Sequence, residues 1–189
     1  MPDRLPVNVL LGQTLRKLLK ATIWQTLTTI PKLLGQPLQT VQVLVVDRGR
    51  KLVLLLRTAE SKTGYFPIQG LRLGMPWLSK RLRYQADPRE DARRELAEEA
   101  VATELRLDEF RFIHRYLEGS RGQFDCRVYL VEADSGSLWL VDENAEGLPV
   151  WESFETAGNV LNQTLAGIMA GLPPVGVALE SLEDPGPVA

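Results

Sequence analysis

A mixed β-sheet layered between α-helices is the fold class that the sequence predicts, on three observations. Apolar runs at 40–46 and 51–57 flank a tight turn. A loop dense in glycine and proline leads into a capped, acid-rich helix, and a second strand pair precedes a closing amphipathic helix. Strands and helices neither alternate strictly nor segregate, which favours a mixed sheet over a parallel doubly wound one.

The elements follow in chain order. Leu11, Leu15, Leu18, Leu19, Thr22, Ile23, Leu27 and Ile30 recur near helical spacing, and Pro31 ends the run, so residues 1–38 read as a basic amphipathic helical segment. TVQVLVV (40–46) and KLVLLLR (51–57) flank Asp47, Arg48, Gly49 and Arg50 as a hairpin. Gly64, Pro67, Gly70, Gly74 and Pro76 mark a loop to about residue 86, with no regular element across most of it. PREDARRELAEEAVATEL (88–105) is a helix: Asp87 suits its cap, Pro88 its first position and Glu90 a capping box. FRFIHRYL (110–117) and FDCRVYLVEA (124–133) pair around Gly119 and Gly122, and LWLV (138–141) is a further short strand. Leu161, Leu165, Ile168 and Leu172 share one face of a closing helix over 153–172, and residues 173–189 read as a flexible Pro/Gly-rich tail. The domain proper is therefore expected over 39–172.

Composition bounds the function. Apolar residues at 44% and charged residues at 24% are ordinary globular usage. The single cysteine, Cys126, has no partner for a disulfide or a zinc site, and no stretch approaches a membrane span or a signal peptide, so a cytoplasmic protein is expected. The net charge of −2 divides unevenly: residues 4–46 hold five cations and no acid, whereas 47–189 hold 17 cations and 23 acids. A basic front and an acidic body suggest two different tasks.

On a helical wheel with Ala92 at zero, Leu96 and Ala100 fall at about 40° and 80° and mark a buried stripe. Glu99 and Glu95 fall at about 340° and 300°, with Asp91 and Glu98 near 260° and 240°, so the acids border the stripe. Asp91, Glu95 and Glu99 stack at i,i+4 and repel, and Arg94 is placed to offset part of this through Glu90 and Glu98. Carboxylates at the edge of a buried face suit a hard divalent cation. A solvated acidic helix fits the wheel as well.

The order of the residues discriminates further. Arg94, Glu95, Leu96, Glu98 and Glu99 reproduce REUXEE, the centre of the signature GX5EX7REUXEEXGU, where U is bulky and aliphatic. The chain here resembles the Nudix hydrolases. YFPIQG (65–70) resembles that family's lead-in, and LPVWESF (148–154) resembles the segment introducing its last helix, so the resemblance covers about residues 40–172. Four signature positions depart: Lys80 and Val101 stand for glycines, Ala86 for a glutamate and Ala102 for the final aliphatic. The resemblance implies a Nudix-type fold and cleavage of a diphosphate linkage in a nucleotide or related compound. It also implies Mg²⁺ or Mn²⁺ held by Glu95, Glu98 and Glu99, with Glu95 and Arg94 in catalysis. Basic or aromatic residues of the long loop, Arg72, Trp77, Lys80, Arg81 and Arg83, are candidates to meet the substrate.

Glu143, Glu146 and Glu152 lie where the family often adds a carboxylate from a loop. His114 and Cys126 read as packing residues. The expected partner is a nucleoside diphosphate derivative, without stable nucleic-acid binding. A homodimer or peripheral membrane contact through residues 8–34 stays open, and the weakly charged polar face of that helix favours docking on protein. The rival classes are a binding or regulatory module with decayed catalysis and a membrane-surface or partner-docking protein.

Overall fold

The computed structural model describes residues 37–58, 61–72, 87–100, 105–119, 124–136, 147–178 and 182. The expected amino-terminal helix, the strand expected at 138–141 and loop residues 73–86 lie outside them. Among the described residues no helix is long and apolar enough to cross a membrane.

The central strand is β1 (Leu38–Asp47), buried from Val41 to Asp47. Its near-continuous valine and leucine run suits a strand covered on both faces. One edge pairs in parallel with β6 (Phe124–Glu132), from Leu38 opposite Phe124 to Val46 opposite Glu132. The other edge is shared by two antiparallel partners: β2 (Leu52–Arg57) takes Val46 and Asp47, and β4 (Ile68–Arg72) takes Gln39 to Val43. β2 also pairs with β3 (Tyr65–Phe66) and β7 (Leu148–Ser153), and β5 (Arg111–Glu118) lines β6. The sheet is mixed, as expected.

Alternation along β1 sorts the two faces. Val41, Val43 and Val45 turn to the cluster that includes Ala92 and Leu96 of α1 (Pro88–Ala100). Leu44 and Val46 turn to Ala157 of α2 (Phe154–Val160) and to Leu165 and Met169 of α3 (Gln163–Ala170). Helices thus cover both faces.

Three boundaries differ from the sequence reading. The Gly/Pro-rich loop contains β3 and β4: Pro67 separates two short strands that pair with different partners, and Ile68 is fully buried where β4 completes the edge of β1. The acidic helix is described to Ala100, and Leu105 lies outside it, packed on the α1-side core ahead of a 3-10 turn at Leu107–Glu109. The closing helix is two helices. The backbone extends at Leu161, and Asn162 caps α3 by accepting the Leu165 N–H at 2.9 Å. After β5, the left-handed φ of 91° at Gly119 suits glycine.

Residues beyond α3 bear on the β1–β2 turn. Arg48 holds both oxygens of Glu132 at 2.9 Å, and its Nη1 donates to the carbonyls of Pro173, Pro174 and Val177 at 3.3, 3.2 and 3.1 Å. The Leu182 N–H donates to Phe112 O on β5 at 3.1 Å. Because the Arg48 side chain is only 9% exposed, Arg48→Ala should lower the unfolding free energy by about 2 kcal/mol, the range for a charged hydrogen-bond group. Urea denaturation measures this. Removing the exposed Arg106, paired with Asp108, should leave the midpoint unmoved.

Candidate active site on the acidic helix

Local sequence starts α1 where expected. Asp87 Oδ1 accepts the Arg89 N–H at 2.9 Å, and Pro88 occupies the first helical position. Glu90 accepts from Arg93 at 2.8 Å, which corrects the expected pairing of Glu90 with Arg94. Arg94 is drawn instead to the acids beside the buried stripe.

Those acids form a ridge. Asp91 and Glu99 are buried, and the Glu95 side chain is 12% exposed, whereas Glu98 is 59% exposed. Arg94 Nη2 lies 2.7 Å from Glu95 Oε1 and 3.7 Å from Asp91 Oδ1, and its Nη1 lies 3.5 Å from Glu98 Oε2. One guanidinium therefore serves three carboxylates. Glu99 Oε2 accepts the Gln69 N–H from β4 at 3.3 Å, tying the ridge to the strand beside it. Burial pushes the Glu95 carboxyl up to about 7; the charges of Glu98 and Asp91 add to this, and the charge and hydrogen bond of Arg94 oppose it.

Of the sequence-predicted residues, Arg94, Glu95, Glu98 and Glu99 share this helix, although Glu98 points to solvent and Glu99 toward β4. Arg72 ends β4, and only its backbone is described; Trp77, Lys80, Arg81, Arg83, Glu143 and Glu146 lie outside the described residues. Glu152 is corrected. It sits in β7 beside Trp151, which packs on the α1-side core, so Glu152 takes the opposite face and accepts the Tyr65 hydroxyl at 2.9 Å. That bond raises the Tyr65 pKa. Gln69, whose N–H bonds Glu99, stands in the YFPIQG lead-in and is not among the candidates that the sequence offers.

A hard divalent cation fits the donor chemistry of the ridge, which is all carboxylate oxygen. Among the described residues no three acidic, histidine or cysteine side chains converge as a cage. Mg²⁺ retains waters and takes one or two carboxylates plus substrate phosphates, so it does not require such a cage. A surface concavity of about 460 Å³ lies elsewhere, lined by Asp47, Arg48, Arg50, Glu132, Asp134 and Val175 among others. Its charges are satisfied internally: Arg50 holds Asp134, and Asp47 accepts from Ser135 and the Arg50 N–H. Burial alone would raise the Asp47 pKa, and these bonds outweigh it to leave the pKa lowered.

The Glu95 carboxyl binds its proton more tightly in the folded chain than at its ordinary pKa of 4.5. Its stabilisation is therefore full below about pH 4.5 and is lost as pH rises through about 7. With chelator present, the urea midpoint should carry a falling component between pH 5 and 8 that Glu95→Gln removes. An identical pH profile in the variant would assign the titration to another group.

No protein-family profile matches the sequence, and no curated protein matches it. Solved structures of similar shape are Nudix-type hydrolases. The Ap4A hydrolase of C. elegans aligns at a TM-score of 0.50 and 14% identity, over 71% of this chain and 95% of that one. A MutT/nudix family protein from Enterococcus faecalis gives 0.46 and 14% over 61% of this chain. A bifunctional NMN adenylyltransferase/ADP ribose pyrophosphatase from Francisella tularensis, complexed with AMP and a manganese ion, gives 0.47 and 17% over 66% of this chain. The match spans 43% and 36% of the latter two chains, less than half of each. The likeness is one of architecture, and on it the described domain has the Nudix-type α/β fold, a mixed sheet between helices with the acidic helix against its central strand.

Proposed function

We propose that this chain is a divalent-metal-dependent hydrolase of a phosphoanhydride bond in a nucleotide or related compound, with α1 as its catalytic helix. The observation that carries the proposal is the half-buried Glu95, held by Arg94 at 2.7 Å in a ridge of carboxylates with its pKa raised to about 7. A carboxylate with that pKa is matched to accept a proton near neutrality. Glu98 and Glu99 are the residues that would hold the cation, which when bound would neutralise phosphate charge and acidify water, leaving Glu95 free as the base.

The chain's own residues do the rest. Glu95 takes the proton of the attacking water, whose oxygen bonds to phosphorus as the bridging P–O bond breaks and the leaving phosphate departs with the electron pair. Arg94 fixes the Glu95 carboxylate and prevents it from swinging to solvent. The Gln69 N–H orients Glu99. Because phosphoryl transfer depends mainly on positioning and charge, loss of the glutamate at Ala86 slows the reaction without abolishing it.

The replaced signature positions Lys80, Ala86, Val101 and Ala102 favour a second reading, a ligand-binding module without turnover. A panel of nucleotide sugars, dinucleotide polyphosphates including Ap4A, and nucleoside triphosphates separates the two by product chromatography. Weak Mg²⁺-dependent hydrolysis is expected, with Glu95→Gln reducing it at least a hundredfold, within the range for a general base. Tight binding with no product above the Glu95→Gln background would establish the second reading instead.

A further inference from the structure

Successive residues of a helix stand about 100° apart around its axis and do not face one another. Arg94 and Glu95 are such neighbours, yet Arg94 Nη2 lies 2.7 Å from Glu95 Oε1. Helix geometry alone aims Arg94 elsewhere. Its natural partners are Asp91 at i−3 and Glu98 at i+4, and it meets both, with Nη2 3.7 Å from Asp91 Oδ1 and Nη1 3.5 Å from Glu98 Oε2. The contact with Glu95 therefore has a cause beyond adjacency.

On the wheel with Ala92 at zero, Arg94 stands at about 200° and Glu95 at about 300°, and both Asp91, near 260°, and Glu98, near 240°, lie between them. Depth separates the two. The Asp91 side chain is 5% exposed and that of Glu98 59%. Glu98 draws Nη1 toward solvent, whereas Asp91 shares Nη2, the nitrogen that reaches Glu95, and pulls it toward the buried stripe. Stability alone does not ask for a buried acid here. The helix dipole favours an acid in the first turn, but an exposed one would serve, and Asp91 repels Glu95 at i,i+4.

We propose that Asp91 is a positioning residue, which draws the Arg94 guanidinium across the helix onto Glu95 and holds it there when Glu98 turns to the divalent cation. Of the three carboxylates that Arg94 meets, Glu98 is the one committed to the proposed cation site. Asp91 is then the fixed point. Without it the guanidinium turns to solvent, and the Glu95 carboxylate loses its orientation toward the attacking water. This role rests on the reading of Glu95 as the base.

The test reads the arginine directly. In the ¹H–¹⁵N spectrum of the full chain, with and without Mg²⁺, the Arg94 Nη2 hydrogens should give separate signals because rotation about the Cζ–Nη2 bond is held. Their loss in Arg94→Lys identifies them. Asp91→Ala, which suits a helix and relieves the repulsion with Glu95, should merge the signals, and Asp91→Glu should restore the separation. Asp91→Ala should also lower kcat about tenfold or more, as a misplaced reacting group does, with KM and Mn²⁺ affinity nearly unchanged and partial recovery in Asp91→Glu. Merged signals in the parent, separate signals that survive Asp91→Ala, or a kcat unchanged by it overturn the proposal. So does a Mn²⁺ affinity that falls in step with kcat, which would make Asp91 a ligand of the cation. Signals that merge in Asp91→Ala, in a chain that turns over no substrate, would support Asp91 as the residue holding Arg94 and refute the hydrolase.

Discussion

The placement of every described element depends on β1 being buried on both faces and paired along both edges. Its parallel partnership with β6 requires a long crossover, and β2, β3, β4, α1 and β5 all lie within it. Its second edge is divided between β2 and β4. That division brings the start of β1 beside Gln69, and through the Gln69 N–H beside Glu99. The position of the acidic helix is thus a consequence of sheet topology.

Burial then creates an electrostatic problem on this helix. Asp91, Glu95 and Glu99 follow one another down a helix face with Ala92 and Leu96 alongside, so packing the apolar stripe carries carboxylates out of water. Each i,i+4 repulsion costs a few tenths of a kcal/mol on an exposed helix and more when desolvated. Arg94 answers part of it, and the Glu95 pKa stays raised chiefly because the carboxyl is buried, with the charges of Glu98 and Asp91 adding to this. This ridge is the physical basis of the proposal that α1 serves chemistry.

The parts legible in the sequence were those set by local pattern. The β1–β2 hairpin follows from two apolar runs around Asp47 to Arg50, and the start of α1 from Asp87 and Pro88. The quartet Arg94, Glu95, Glu98 and Glu99 was legible from its spacing. What was not legible depends on pairing across the chain. β4 is hidden by Pro67 and Gly70 because only the free edge of β1 makes it a strand. The face taken by Glu152 cannot be known before the register of β7 on β2, and the hydrogen bonds through the Tyr116 hydroxyl join residues 120 positions apart in sequence, Gln42 and Asn162. Asn162 carried a capping signal, but the periodicity of Leu161, Leu165 and Ile168 ran across it.

The central claim is that the Glu95, Glu98 and Glu99 ridge is where a divalent cation binds. Paramagnetic line broadening by substoichiometric Mn²⁺, read residue by residue in the ¹⁵N spectrum of the full chain, tests it most directly. The account predicts that the amides of residues 95–99 and Gln69 broaden first and that added Mg²⁺ reverses the effect. Broadening that begins at Asp47, Glu132 and Asp134, with the α1 amides unaffected, would contradict it.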